Sequence, residues 1–297
     1  DTAIRNYNKW ADIRVNMDTL CEGGTPDTTL ELFGKQFKYP FFAGPVGAVN
    51  LHYSEAYTDM TYNDVLVRAC AENGIAAFTG DGTNPTVMEM ATKAIGAANG
   101  CGVPTIKPWN METIKEKLDL VKAADPFAIA MDIDGAGLPF LKNMTPPAGS
   151  KTVEELREII EYAQKPFILK GIMTPAGARK ALEAGAAGIV VSNHGGRVLD
   201  QCPATAEVLP AIVEAVAGRM KIFVDGGIRT GLDVFKALAL GADGVLIGRP
   251  FVTMVYGGGA EGVRVYADKL QSELQDAMQM CGVHTLKEIT RDQILRP

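Results

Sequence analysis

Eight short apolar runs, each followed by a polar or glycine-rich turn and most then by a helical pattern, narrow the possible folds more than any other feature. They are PFFAGPVG (40–47), GIAAFTG (74–80), VPTIKP (103–108), FAIAMDID (127–134), PFILKGI (166–172), AAGIVVSN (186–193), MKIFVDGG (220–227) and ADGVLIGR (242–249). Continuous apolar runs, rather than alternating ones, belong to strands covered on both faces, as in parallel sheets. The segments between them carry helix punctuation. Thr152 with Glu155 three residues on is a capping box. Pro175 opens the next helix and Gly185 closes it, and residues 230–241 repeat that plan. KALEAGAAGIVVSN (180–193) also resembles KALALGADGVLIGR (236–249), so one helix–turn–strand unit recurs at a 56-residue offset.

Eight strands alternating with helices over roughly 250 residues predict an α/β chain folded as a (β/α)8 TIM barrel. A doubly wound sheet is the alternative, weakened by the lack of G-x-G-x-x-G after the first strand. Residues 1–39 are expected to form an extension closing the barrel bottom, with a hairpin within LELFGKQFKYP (30–40). Residues 40–297 form the barrel, with one long helix over 261–282 ending at Gly282. The chain begins at Asp1 rather than Met, as expected if N-terminal sequence is missing.

Composition bounds the partners. A chain of 297 residues that is 47% hydrophobic can bury a large core. The net charge of −6, with scattered basic residues, speaks against nucleic acid, so any bound anion belongs in a local pocket. No apolar run approaches the ~20 residues that span a bilayer. Five widely spaced cysteines without a C-x-x-C pair predict reduced thiols and a cytoplasmic location. Three histidines form no His/Cys zinc pattern, and no metal is expected.

In such a barrel, chemistry gathers at the C-terminal strand ends. Strand 4 ends in Asp132 and Asp134, two apart and therefore expected on one face. Strand 5 ends in Lys170, for which either aspartate is a partner. Strand 6 ends in Ser192, Asn193 and His194, with Arg197 in the loop. His194 is the general-base candidate, because no other histidine lies at a strand end. Arg197 stands within reach of a carboxylate held against it. After strands 7 and 8, Gly226, Gly227, Arg229, Gly248 and Arg249 read as a phosphate site: glycines for close approach, arginines for the oxygens.

The blocks FILKGIMTPAGARKALEAGAAGIVVSNHGGRVLDQCPATAEVLP (167–210) and IFVDGGIRTGLDVFKALALGADGVLIGRPF (222–251) resemble the FMN-dependent α-hydroxy-acid oxidase and dehydrogenase family, which includes glycolate oxidase, lactate oxidase and flavocytochrome b2. The resemblance implies FMN as cofactor and oxidation of a 2-hydroxy acid to a 2-oxo acid. It implies His194 as base, Asp134 supporting its imidazolium, Lys170 against the flavin N1/O2 edge and Arg197 as carboxylate clamp. It places Pro45, Val46, Gly47 and Gly80 along the isoalloxazine, and Asp132 where relatives carry a flavin-contacting threonine. Ser192 and His194 join this flavin set. Asp225 falls on the ribityl chain, and Gly226, Gly227, Arg229, Gly248 and Arg249 around the phosphate. A homotetramer is a further implication.

Other features depart from the family. VPTIKPW puts Ile106 near the place of a substrate-binding tyrosine, with Lys107 beside it. DGAGLPFLKNM lacks the family's second arginine and offers only Lys142. Tyr53, Tyr57 and Tyr62, after strand 1, are candidates to fill the gap. Other FMN-barrel chemistries, an isomerase or an enoate-type reductase, stay open, as does a flavin-binding protein with a rebuilt pocket. The NHGGR pair argues against the isomerase. The residues leave the electron acceptor open among oxygen, quinone and cytochrome.

Overall fold

The computed structural model describes residues 1–138, 141–145 and 147–295. Eight parallel strands close into a barrel: β1 (Phe41–Ala43), β2 (Ala77–Thr79), β3 (Gly102–Ile106), β4 (Ile129–Asp132), β5 (Phe167–Ile172), β6 (Gly188–Val191), β7 (Lys221–Val224) and β8 (Gly244–Ile247). Each pairs with its sequence neighbours, and β8 pairs with β1 through Val245 and Phe41. The repeated units end in β6 and β8. Their helices, Pro175–Ala184 and Gly231–Ala239, both start from a threonine cap, as the sequence pattern requires.

The strand period of two sets the barrel interior. One residue per strand enters a single buried cluster: Phe42, Phe78, Val103, Ala130, Ile168, Val190, Phe223 and Leu246. Phe42, Phe78 and Phe223 meet edge-to-face at centroid distances of 6.0–6.4 Å. This layer makes the barrel a filled core rather than a pore. Two residues further along each strand, the same inward phase passes through Gly44, Gly80, Thr105, Asp132, Lys170, Ser192, Asp225 and Gly248. The apolar layer therefore carries on its upper side a layer of glycines, hydroxyls and charges.

The N-terminal extension divides. The hairpin of Leu30–Leu32 and Lys35–Phe37 sends Leu32 and Phe37 into the interior cluster, with Phe37 5.1 Å from Phe42. The helix Thr2–Asp12 does not go to the bottom, as expected of the whole extension. It packs on the loops after β6 and β7, because its Trp10 Nε1–H donates to Gly226 O (2.7 Å) and Asn6 pairs with Asn193. The helical run Arg249–Met280 breaks at Gly259, where φ is +57°, so the C-terminal helix begins just past that glycine, close to the expected 261–282, and a separate helix precedes it. Among the described residues, no helix is long and apolar enough to cross a membrane.

Candidate active site

The upper layer floors a cleft of about 830 Å³. The residues expected to carry the reaction and hold the cofactor line it except Asp134 and Ser192, which lie one step behind. Asp134 is not on the strand face shared with Asp132. β4 ends at Asp132 and Asp134 sits in a 3-10 turn, Ile133–Gly137, so strand alternation no longer governs it. The turn places both Asp134 oxygens 3.1 Å from His194 Nδ1. Room for this comes from β5: Gly171 has φ +107°, and a Cβ there would lie 2.6 Å from Asp134 Cβ and Cγ. Ser192 Oγ accepts from the His194 backbone N–H (3.2 Å), tying the histidine to its strand.

His194 itself has φ +56°, a left-handed conformation that costs a non-glycine residue about 1 kcal/mol or more. Its loop is over-determined by neighbours. Asn6 and Asn193 exchange two amide hydrogen bonds (2.8 and 2.9 Å), and Asn193 Oδ1 also accepts from Gly195 N–H (3.2 Å). The two glycines of the turn differ in purpose. Gly195 faces the cleft, where a Cβ would meet Arg249 Nη2 at 3.2 Å; Gly196 faces the N-terminal helix, where a Cβ would meet Thr2 Cβ at 2.9 Å. Gly227 likewise serves the helix: a Cβ there would lie 2.5 Å from the Asn6 carbonyl. On their Cβ sides the glycines at 196 and 227 admit the helix, while Gly227 also lines the cleft.

The floor is a chain of alternating charges. Lys170 Nζ lies 2.9 Å from Asp132 Oδ1 and 3.9 Å from Asp225 Oδ2, and Lys107 ion-pairs with the other Asp132 oxygen. Burial opposes ionisation of Asp132, but Lys107 and Lys170 outweigh it and hold the carboxyl well below the usual range. Burial likewise opposes the charge on Lys170, yet Asp132, Asp134 and Asp225 keep it above its ordinary value. Asp225 goes the other way, raised chiefly by burial, and its Oδ1 is buried without a hydrogen-bond partner among the described residues. Asp132, Asp134 and His194 also bring three potential metal-ligating atoms within 4.8 Å, but the two lysines already compensate Asp132.

Of the two residues expected near the place of the family's tyrosine, Ile106 is fully buried and Lys107, in phase with Val103 and Thr105, reaches the cleft. Asp81 was missed. Fully buried beside Gly80, it accepts from Lys107 N–H (3.0 Å), Trp109 Nε1 (2.8 Å) and Lys117 Nζ (2.7 Å). Of the three candidate tyrosines, only Tyr53 lines the cleft. Tyr62 is fully buried, and Tyr57 packs edge-on against Tyr256 at 5.0 Å. The side chain of Lys142 falls outside the described residues.

The FMN-dependent dehydrogenase family model matches residues 1–145 and 139–296, nearly the whole chain. The chain belongs to this family. Among curated relatives, the L-lactate oxidase of Roseobacter sp. (strain GAI101) is 33% identical, covering 92% of this chain and 80% of that protein. A peroxisomal (S)-2-hydroxyacid oxidase of Arabidopsis thaliana is 49% identical over 144 residues, a match spanning 48% of this chain and 39% of the plant protein. The crystal structure of a putative lactate oxidase of Pediococcus acidilactici aligns over 100% of this chain and 86% of its own, with TM-score 0.86 and 30% identity. A mandelate oxidase variant carrying a monooxide FMN adduct aligns over 99% of this chain and 90% of its own, with TM-score 0.82 and 30% identity.

FMN, the cofactor of this family, suits the cleft on two physical grounds. Burial, then the nearby Arg229 and Arg197, push Arg249 below the usual arginine value, so this end of the cleft holds cations in want of a dianion. The orphaned Asp225 oxygen offers an acceptor to a ligand hydroxyl.

Proposed function

We propose that this member of the FMN-dependent dehydrogenase family oxidises a 2-hydroxy acid to the 2-oxo acid. The observation that carries the reading is the His194–Asp134 contact at 3.1 Å, in a cleft that also presents Arg197. Asp134 takes the Nδ1 side of the ring, which fixes the neutral tautomer as Nδ1–H and leaves Nε2 as the basic atom. Nε2 then accepts the substrate proton, and Asp134 stabilises the imidazolium that forms. Arg197, exposed at the mouth, clamps the substrate carboxylate and orients the carbinol carbon towards His194. Bound FMN would supply acceptance of the two electrons and of the second hydrogen that the carbinol gives up. Lys170 would hold its ring, Asp225 its ribityl chain, and Arg229 and Arg249 its phosphate.

Similarity to lactate, mandelate and (S)-2-hydroxyacid oxidases supports a monomeric hydroxy acid as substrate class. Five unpaired cysteines, with Cys21 exposed, support a cytoplasmic protein. A homotetramer is part of the same reading, checked by light scattering.

Anaerobic titration of the flavin-loaded protein with a panel of 2-hydroxy acids tests the reaction. Bleaching of the visible flavin bands by at least one of them is expected. His194→Gln should keep the bands and slow bleaching by roughly 100-fold or more. Bleaching of that variant at the wild-type rate removes His194 as the base.

A further inference from the structure

Lys107 has no part in the reaction described above, yet it is held as firmly as any group in the cleft. Its backbone N–H donates to the buried carboxylate of Asp81 (3.0 Å), which Trp109 and Lys117 fix in turn. Its ammonium, on a side chain only 12% exposed, pairs with Asp132, which is 4% exposed. That carboxylate is the same one that Lys170 approaches at 2.9 Å.

One carboxylate thus stands between two ammoniums on the floor of the cleft. Asp132 alone would cancel the positive field of Lys170; Lys107 restores one unit of it. Asp134 and His194, with atoms within 4.8 Å of Asp132, form their own pair, and Asp225 lies 3.9 Å from Lys170. Reduction of FMN brings negative charge into this cleft, and charges buried together interact much more strongly than in water. We propose that Lys107 and Asp132 form a charge-setting pair for bound FMN, in which Lys107 raises and Asp132 lowers the reduction potential. The proposal rests on the assignment of the cleft to FMN.

The test is the midpoint potential of FMN bound to the full chain, with the dissociation constant of the flavin–sulfite adduct as a substrate-free second readout. Lys107→Met should weaken the preference for reduced over oxidised FMN about tenfold, a fall of about 30 mV for two electrons. Sulfite affinity should fall in the same proportion. Asp132→Asn should move both quantities the opposite way. The double variant should return close to the wild-type potential, because it removes one charge of each sign and leaves Lys170 and Asp225 in place. Lys107→Arg, which keeps the charge, should stay close to it as well. An unchanged or raised potential in Lys107→Met, or a Lys107→Arg variant that falls as far, overturns the pair. Failure of the wild-type protein to take up FMN would instead strike the assignment of the cleft.

Discussion

Replacing Asn6 by alanine tests how far the N-terminal helix governs the loop that carries His194. Asn6 is fully buried and makes three hydrogen bonds, two with the Asn193 amide and one accepted from Thr205 N–H (3.1 Å). In the variant, Asn193 keeps Gly195 N–H and Pro203 O as partners, whereas Thr205 N–H is orphaned in the interior. An orphaned buried donor costs ~1–3 kcal/mol and each of the other two bonds contributes ~0.5–1.5 kcal/mol. The expected loss is about 4 kcal/mol, or about 6 °C in Tm for a chain of this size. Part of it should appear as function, because the left-handed backbone of His194 relaxes once its loop is no longer pinned. Urea unfolding followed by circular dichroism measures the first effect, and stopped-flow flavin reduction the second. A change below about 1 kcal/mol together with an unaltered reduction rate would refute the reasoning.

Three other perturbations follow from the site. Gly171→Ala sets a methyl against Asp134, so flavin reduction should slow while FMN stays bound; a normal rate in stopped-flow would show that Asp134 can shift without loss. Arg249→Met removes one of three arginines that repel one another in the cleft, so FMN affinity should fall at least tenfold by fluorescence titration; an unchanged affinity would take Arg249 out of the phosphate site. Asp225→Asn bears on pH. Its native pKa is raised, so the native state holds the proton more tightly, and stability from this group is present below the ordinary carboxylate value of ~3.9 and lost as pH rises through the native value. The variant should therefore stabilise the apoprotein at neutral pH and change little in acid, as read from urea midpoints at pH 3.5 and 7.

The barrel was legible because its strands are local, continuous apolar runs, and the period of two carries each buried residue to a site residue one step above it. Ile168 leads to Lys170, Ala130 to Asp132 and Phe223 to Asp225 in this way. The same rule, applied to Val103 and Thr105, points to Lys107 rather than Ile106. The rule reaches one residue past a strand end, as at Lys107 and Asp225, and fails for Asp134, two residues past β4 in a 3-10 turn. Long-range docking was not legible. Nothing local in TAIRNYNKWAD says that Asn6 meets Asn193, 187 residues on, or that the glycines at 196 and 227 make way for this helix. Asp81 has no local signal of its role either, because its partners Trp109 and Lys117 lie 28 and 36 residues on.

The placement of that first helix has a consequence for how the site comes into being. Thr2 binds Asp200 and Trp10 binds Gly226, contacts separated by 198 and 216 residues. That helix is synthesised before β6 and β7 and has nothing to dock on until they form, and such distant pairings are slow to form. A barrel still lacking that docked helix would have its strands in place and His194 on an unbraced loop, so assembly of the fold and onset of activity become separate events in time.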